Sequence, residues 1–110
     1  MNRTEHLLAC LSEELSEVQQ EVSKCLRFTP NHKPDEYDST NLERVRLEFA
    51  DVFAIAWLLM DEGVDVGLST HFTRYTEIVE RMHIKRLKTL RLMEVSKNLG
   101  AMDETCLQKD

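Results

Sequence analysis

Apolar residues recur along the first quarter of the chain at steps of three and four. Leu7, Leu8, Leu11, Leu15, Val18, Val22 and Leu26 form a stripe that predicts one long helix from about Arg3 to Arg27, with Asn2 as its N-cap. Pro30 and the polar run TPNHKPDEYDS end it and make the only long loop. A second helix opens on a capping box, Thr40 followed three residues later by Glu43, and closes before Gly63. A third starts near Ser69 or Thr70, carries the stripe Phe72, Tyr75, Val79, Met82, Leu90 and Met93, and runs to about Leu99, with Gly100 as its stop. Residues 101–110 read as a short tail after a helical domain of residues 1–100. The expected class is all-α.

Polar residues interrupt this pattern in an informative way. Glu14, Glu17 and Glu21 share one face of the first helix, and on a helical wheel Glu14 and Glu21 border the apolar stripe, whereas Glu13 lies further round. The second helix is apolar almost all round in EFADVFAIAWLLM, the mark of a helix covered on several sides, yet it holds Glu48 and Asp51. Ionised carboxylates in such surroundings are costly unless compensated by protonation, by basic side chains or by a metal ion. Hard divalent cations prefer carboxylate oxygens, and the spacings Glu14/Glu17 and Glu48/Asp51 can offer them from two facing helices.

Composition narrows the alternatives. The chain has 110 residues, 42% hydrophobic and 31% charged, few glycines and prolines, and a net charge of −6, which fits one compact helix-rich domain without general affinity for nucleic acid or an anionic membrane. No apolar run reaches the roughly 18 residues a membrane span needs, and the N-terminal stretch lacks a signal-peptide core, so the expected location is the cytoplasm. Cys10, Cys25 and Cys106 have no CxxC spacing and are read as free thiols.

Glu13, Glu14 and Glu17, then a spacer, then Glu48 and Asp51 form an EExxE…ExxD pattern. It resembles the signature of the all-α nucleoside triphosphate pyrophosphatases, the MazG-like superfamily. The segments LSEELSEVQQEVSKCLRF, TNLERVRLEFADVFAIAWLLMDEG and KRLKTLRLMEVSKNLG resemble successive helices of its small single-domain members, including phage-encoded ones. Only the spacer between Glu17 and Glu48 is at the long end for that family. The resemblance implies Mg²⁺-dependent hydrolysis of a nucleoside triphosphate to the monophosphate and pyrophosphate, with Mn²⁺ as a substitute ion. It implies Glu14, Glu17, Glu48 and Asp51 as metal ligands, Glu13 as a motif member in a surface or catalytic role, and Glu21 as a residue that binds a further ion or orients water. The corresponding assembly is a dimer or tetramer in which four-helix packing is completed across subunits.

Phosphate also calls for positive charge. Between Arg81 and Lys97 stand six basic residues and one acidic residue, Glu94. Arg86 falls where the apolar stripe of the third helix would continue, so its guanidinium should meet phosphate or a carboxylate. Lys85, Lys88 and Arg91 are further substrate-binding candidates, joined by Lys24 and Arg27 from the end of the first helix. Glu80 and His83 have the spacing of a di-iron motif, but such bundles need two copies. Phe53 and Trp57 offer ring faces for stacking, although a packed core is their expected place. His6, His32 and His71 suggest no nucleophilic triad. Two readings from other classes stand beside the enzyme: a helical module that binds nucleotide or cation without turnover, and a structural adaptor.

Overall fold

The structure, a computed structural model, describes residues 1–68 and 75–103 and is all-helical there, with no strand among the described residues. Its elements are α1 (Arg3–Phe28), α2 (Asn41–Asp61) and α3 (Tyr75–Asn98). The predicted start of the third helix at Ser69 or Thr70, the stripe residue Phe72, His71 and Cys106 lie outside the described residues. The chain divides into two compact units, Met1–Ser69 and Thr70–Asp110.

Capping sets the starts of α1 and α2 and the ends of α2 and α3. Asn2 accepts from the backbone N–H of Glu5 at 2.8 Å while Glu5 accepts from the N–H of Asn2 at 2.9 Å, and Thr40 and Glu43 repeat this reciprocal arrangement at the start of α2. Gly63, at φ 86°, and Gly100, at φ 77°, supply the left-handed residue of a Schellman ending. In each case the next N–H reaches back to a carbonyl inside the helix, Val64 to Leu59 and Ala101 to Ser96. α1 ends differently, on Thr29 with φ 78° and ψ 150°, a conformation rare for a β-branched residue.

In the first unit α1 and α2 pack as an antiparallel hairpin. Arg3 at the start of α1 pairs with Glu62 at the end of α2, while Glu21 near the end of α1 pairs with Arg44 near the start of α2. The connecting segment is tied down by Asn41 N–H to the His32 carbonyl and Leu42 N–H to the Pro30 carbonyl, both at 2.9 Å. These bonds satisfy donors that a helix start leaves open.

The buried face of the hairpin differs from the sequence expectation. Leu7, Val18 and Glu21 are buried on α1, and Asn41, Ala56 and Leu59 on α2. Leu8, Leu15, Val22 and Leu26 are exposed, as are Leu47, Phe53 and Trp57. One partner helix covers only about one stripe of each helix, and here α2 sits over the edge of the α1 stripe that the glutamates share. Within the first unit the expected all-round covering of α2 is not met, and Trp57 is exposed there. In the second unit, Val79 and Met93 of the α3 stripe are half-buried, while Met82 and Leu90 are exposed.

Candidate metal centre

Hairpin packing turns the acidic faces of α1 and α2 toward each other. One carboxylate oxygen from each of Glu14, Glu17 and Glu48 lies within 4.8 Å of the others. Spacing explains the convergence: Glu14 and Glu17 sit on adjacent turns of one helix face, and the antiparallel register set by Glu21 and Arg44 brings Glu48 opposite Glu17.

The electrostatics are those of like charges held together. Burial raises the pKa of Glu14 above the ordinary carboxylate range, and Glu17, Asp51 and Glu13 add to the rise by repulsion. The pKa of Glu48 is raised as well, first by burial, then by a hydrogen bond with Glu17 and by the charges of Glu17, Asp51 and Glu14. Each of Glu14 and Glu48 also keeps one buried carboxylate oxygen, Oε2, without a hydrogen-bond partner. Buried oxygens of this kind are acceptors lacking a donor or a cation.

The expected ligands do not share one environment. Glu14 and Glu48 are half-buried, whereas Glu17 and Asp51 are exposed. Asp51 thus belongs to the rim, close enough to act on both half-buried glutamates by charge, rather than to the interior of an apolar helix. Glu13 is exposed, as its place on the wheel predicted.

Glu21 stands apart from this cluster in character. It is 4% exposed and its two oxygens are engaged by Arg44, Nε to Oε2 at 3.0 Å and Nη2 to Oε1 at 2.7 Å, with Lys24 Nζ on Oε1 at 3.1 Å. These bonds, Arg44's first, hold its pKa below the ordinary value against the opposing effect of burial. A carboxylate so saturated anchors the hairpin, which leaves it little capacity for the ion or water foreseen for it. Lys24 is likewise committed to Glu21, and Arg27 lies over the ring of Phe28 at 5.7 Å.

Lys85, Arg86, Lys88 and Arg91 are all exposed on α3, in the second unit. Arg86 does not replace a core side chain: its stripe neighbours Met82 and Leu90 are exposed with it.

Arg44 and Tyr37 escaped the sequence reading. The Arg44 guanidinium lies 3.6 Å from the centre of the Tyr37 ring and bonds Glu21 from there. A signal existed, since Arg44 precedes Glu48 by one turn just as Glu21 follows Glu17 by one turn. In an antiparallel pair those two steps lead to the same place.

The site can thus hold a hard divalent cation, with Glu14, Glu17 and Glu48 as converged ligands, Asp51 at the rim, and Glu21–Arg44 bracing the helices beside them. No helix among the described residues is long and apolar enough to cross a membrane. Comparison of the chain with protein families, with curated proteins and with solved structures finds no match.

Proposed function

We propose that this chain is a divalent-cation-dependent nucleoside triphosphate pyrophosphohydrolase of the MazG-like kind, converting a nucleoside triphosphate to the monophosphate and pyrophosphate. The observation that carries the reading is the convergence of Glu14, Glu17 and Glu48 within 4.8 Å, with buried and unpartnered oxygens on Glu14 and Glu48. A solvated acidic face would spread its charges and give each oxygen water.

Glu14, Glu17 and Glu48, with Asp51, would hold Mg²⁺ or Mn²⁺. A bound cation of this kind neutralises phosphate oxygens and makes a coordinated water more acidic. The protein's own part is positional. Glu14 and Glu48 keep their carboxylates half-buried and aimed at one point, Glu17 and Asp51 leave the solvent side open for a polyphosphate, and Glu21 and Arg44 hold the two helices in register. No side-chain nucleophile is needed. Lys85, Arg86, Lys88 and Arg91 are the candidate phosphate contacts, and the exposed apolar residues of the hairpin support an assembly of at least two chains that shares its core.

Incubation of a panel of nucleoside triphosphates with the protein and Mg²⁺ tests the reaction. Intact pyrophosphate and the monophosphate are expected as first products. A nucleoside diphosphate as the main early product would rule out this cleavage, and absence of turnover with every triphosphate would leave a binding module or an adaptor.

A further inference from the structure

The segment between α1 and α2 is closed at its ends by bonds of its own. Asn41, fully buried, donates from its backbone N–H to the His32 carbonyl at 2.9 Å and from its Nδ2 to the Thr29 carbonyl at 3.0 Å. Inside that closed segment the N–H of Tyr37 donates to the Pro34 carbonyl at 3.0 Å, the bond of a turn. At Tyr37 it is the main chain that is tied, so the tie survives a change of side chain.

The Tyr37 ring is laid against the cations that hold Glu21. The Arg44 guanidinium is 3.6 Å from the ring centre, and Lys24 Nζ is 6.0 Å from it. Arg44 reaches Glu21 through Nε at 3.0 Å and Nη2 at 2.7 Å, so a carboxylate grips the guanidinium at its edge while the ring covers its face. An arginine loses much rotamer freedom in forming such a pair. The ring bars the rotamers that would swing the guanidinium to its side, and the pair forms from a side chain already near its place.

The pair stands one helical turn from the acidic cluster on both helices, since Arg44 precedes Glu48 by four residues and Glu21 follows Glu17 by four. Glu14, Glu17 and Glu48 bring like charges within 4.8 Å, and ligands of a cation must keep their places to within about 0.5 Å. Small changes in the separation of the helices therefore matter. From these contacts we infer that Tyr37 is a positioning residue for the metal centre: by covering Arg44 it fixes the Glu21–Arg44 pair, and through that pair it sets the spacing of Glu17 and Glu48 and the affinity for a divalent cation. The inference rests on the reading of the acidic cluster as a metal centre, but not on turnover.

Binding of Mn²⁺ to the full chain, read from the electron paramagnetic resonance of free and bound ion, tests it without substrate. Each variant is measured at a temperature where circular dichroism shows it fully folded. Tyr37→Leu, which removes the ring, should weaken Mn²⁺ binding severalfold and alter the signal of the bound ion, and Tyr37→Gln should repeat the result. Tyr37→Phe, which keeps the ring, should bind as the wild type does. Added to Glu21→Leu with Arg44→Met, Tyr37→Leu should weaken binding no further, because the path through the pair is gone. Equal Mn²⁺ affinity of the wild type and the ringless variants, even with a lower melting temperature in the latter, would overturn the positioning role and leave the metal centre standing. So would an equal loss in Tyr37→Phe, or a full further loss in the triple variant. A wild type that binds no Mn²⁺ would overturn both readings together.

Discussion

Glu21 and Arg44 form a two-point ion pair one helical turn from Glu17 and Glu48 on the same two helices. The step from Glu17 to Glu21 on α1, matched by the step from Glu48 back to Arg44 on α2, leads from a pair of like charges to a pair of opposite ones. Attraction at one turn therefore holds together helices that repel at the next.

Arg44→Met should destabilise the protein by about 3 kcal/mol, because it leaves a nearly buried carboxylate with Lys24 on one oxygen alone. The double substitution Glu21→Leu with Arg44→Met should cost clearly less than the two single changes added together, as measured by urea unfolding. Equal, additive losses would mean that the pair does not act as a unit.

The two kinds of glutamate predict opposite pH effects. Glu21 has a lowered pKa in the folded state, so its contribution is present above the unfolded value of about 4.3 and is lost as pH falls through the lower folded value. Glu14 and Glu48 have raised values, so the folded state takes up protons first, and their repulsion is relieved as pH falls from neutral through those raised values. Metal-free protein should therefore gain stability on mild acidification and lose it below about pH 4. Glu48→Gln should flatten the gain and leave the acid loss in place, as thermal melts in EDTA across this range will read.

Metal should invert the ranking of variants. In EDTA, Asp51→Asn should melt at or above the wild type, since it removes one charge that acts on Glu14 and Glu48. In Mg²⁺ the wild type should melt higher, because an ion bound only by the folded state adds about 2.7 kcal/mol at a hundred times its dissociation constant. A loss in the variant that is the same with and without Mg²⁺ would remove Asp51 from the site.

For turnover, Glu14→Gln and Glu48→Gln should each lower pyrophosphate release roughly a hundredfold or more. Glu5→Gln should leave the rate unchanged, since glutamine can still close the capping box with Asn2. A rate equally reduced by all three changes would point to the fold instead of the site.

Light scattering at micromolar concentration should give at least a dimer. Leu8, Leu15, Val22, Leu47, Phe53 and Trp57 are all exposed in the single chain, and side chains of that size in such number are unusual on a free surface. A clean monomer would dispose of the shared core.

The helices and most of their ends were legible in the sequence because capping is a local matter: Asn2, Thr40 with Glu43, Gly63 and Gly100 act within a few residues. Glu14, Glu17 and Glu48 could also be marked, since carboxylates beside an apolar stripe conflict with their surroundings wherever the helix lies. Which edge of the α1 stripe α2 would cover was not legible, because a wheel shows the width of an apolar face and not the position of its partner. For the same reason Trp57 was expected in a core. Asn41 carried no signal at all, for its importance arises from the Thr29 and His32 carbonyls that the connecting segment brings to it.

Thr29 sets a direction that the hairpin then depends on. Its backbone, at φ 78° and ψ 150°, turns the chain out of α1 and aims its carbonyl at Asn41. Glycine adopts that conformation without a steric penalty, so Thr29→Gly should relieve about 1 kcal/mol or more of local strain, partly offset by the greater freedom of glycine in the unfolded chain. A threonine at this bend does not choose the geometry by itself: the contacts across the hairpin, the Asn41 Nδ2 bond to the Thr29 carbonyl among them, hold the elbow in a shape its own backbone resists.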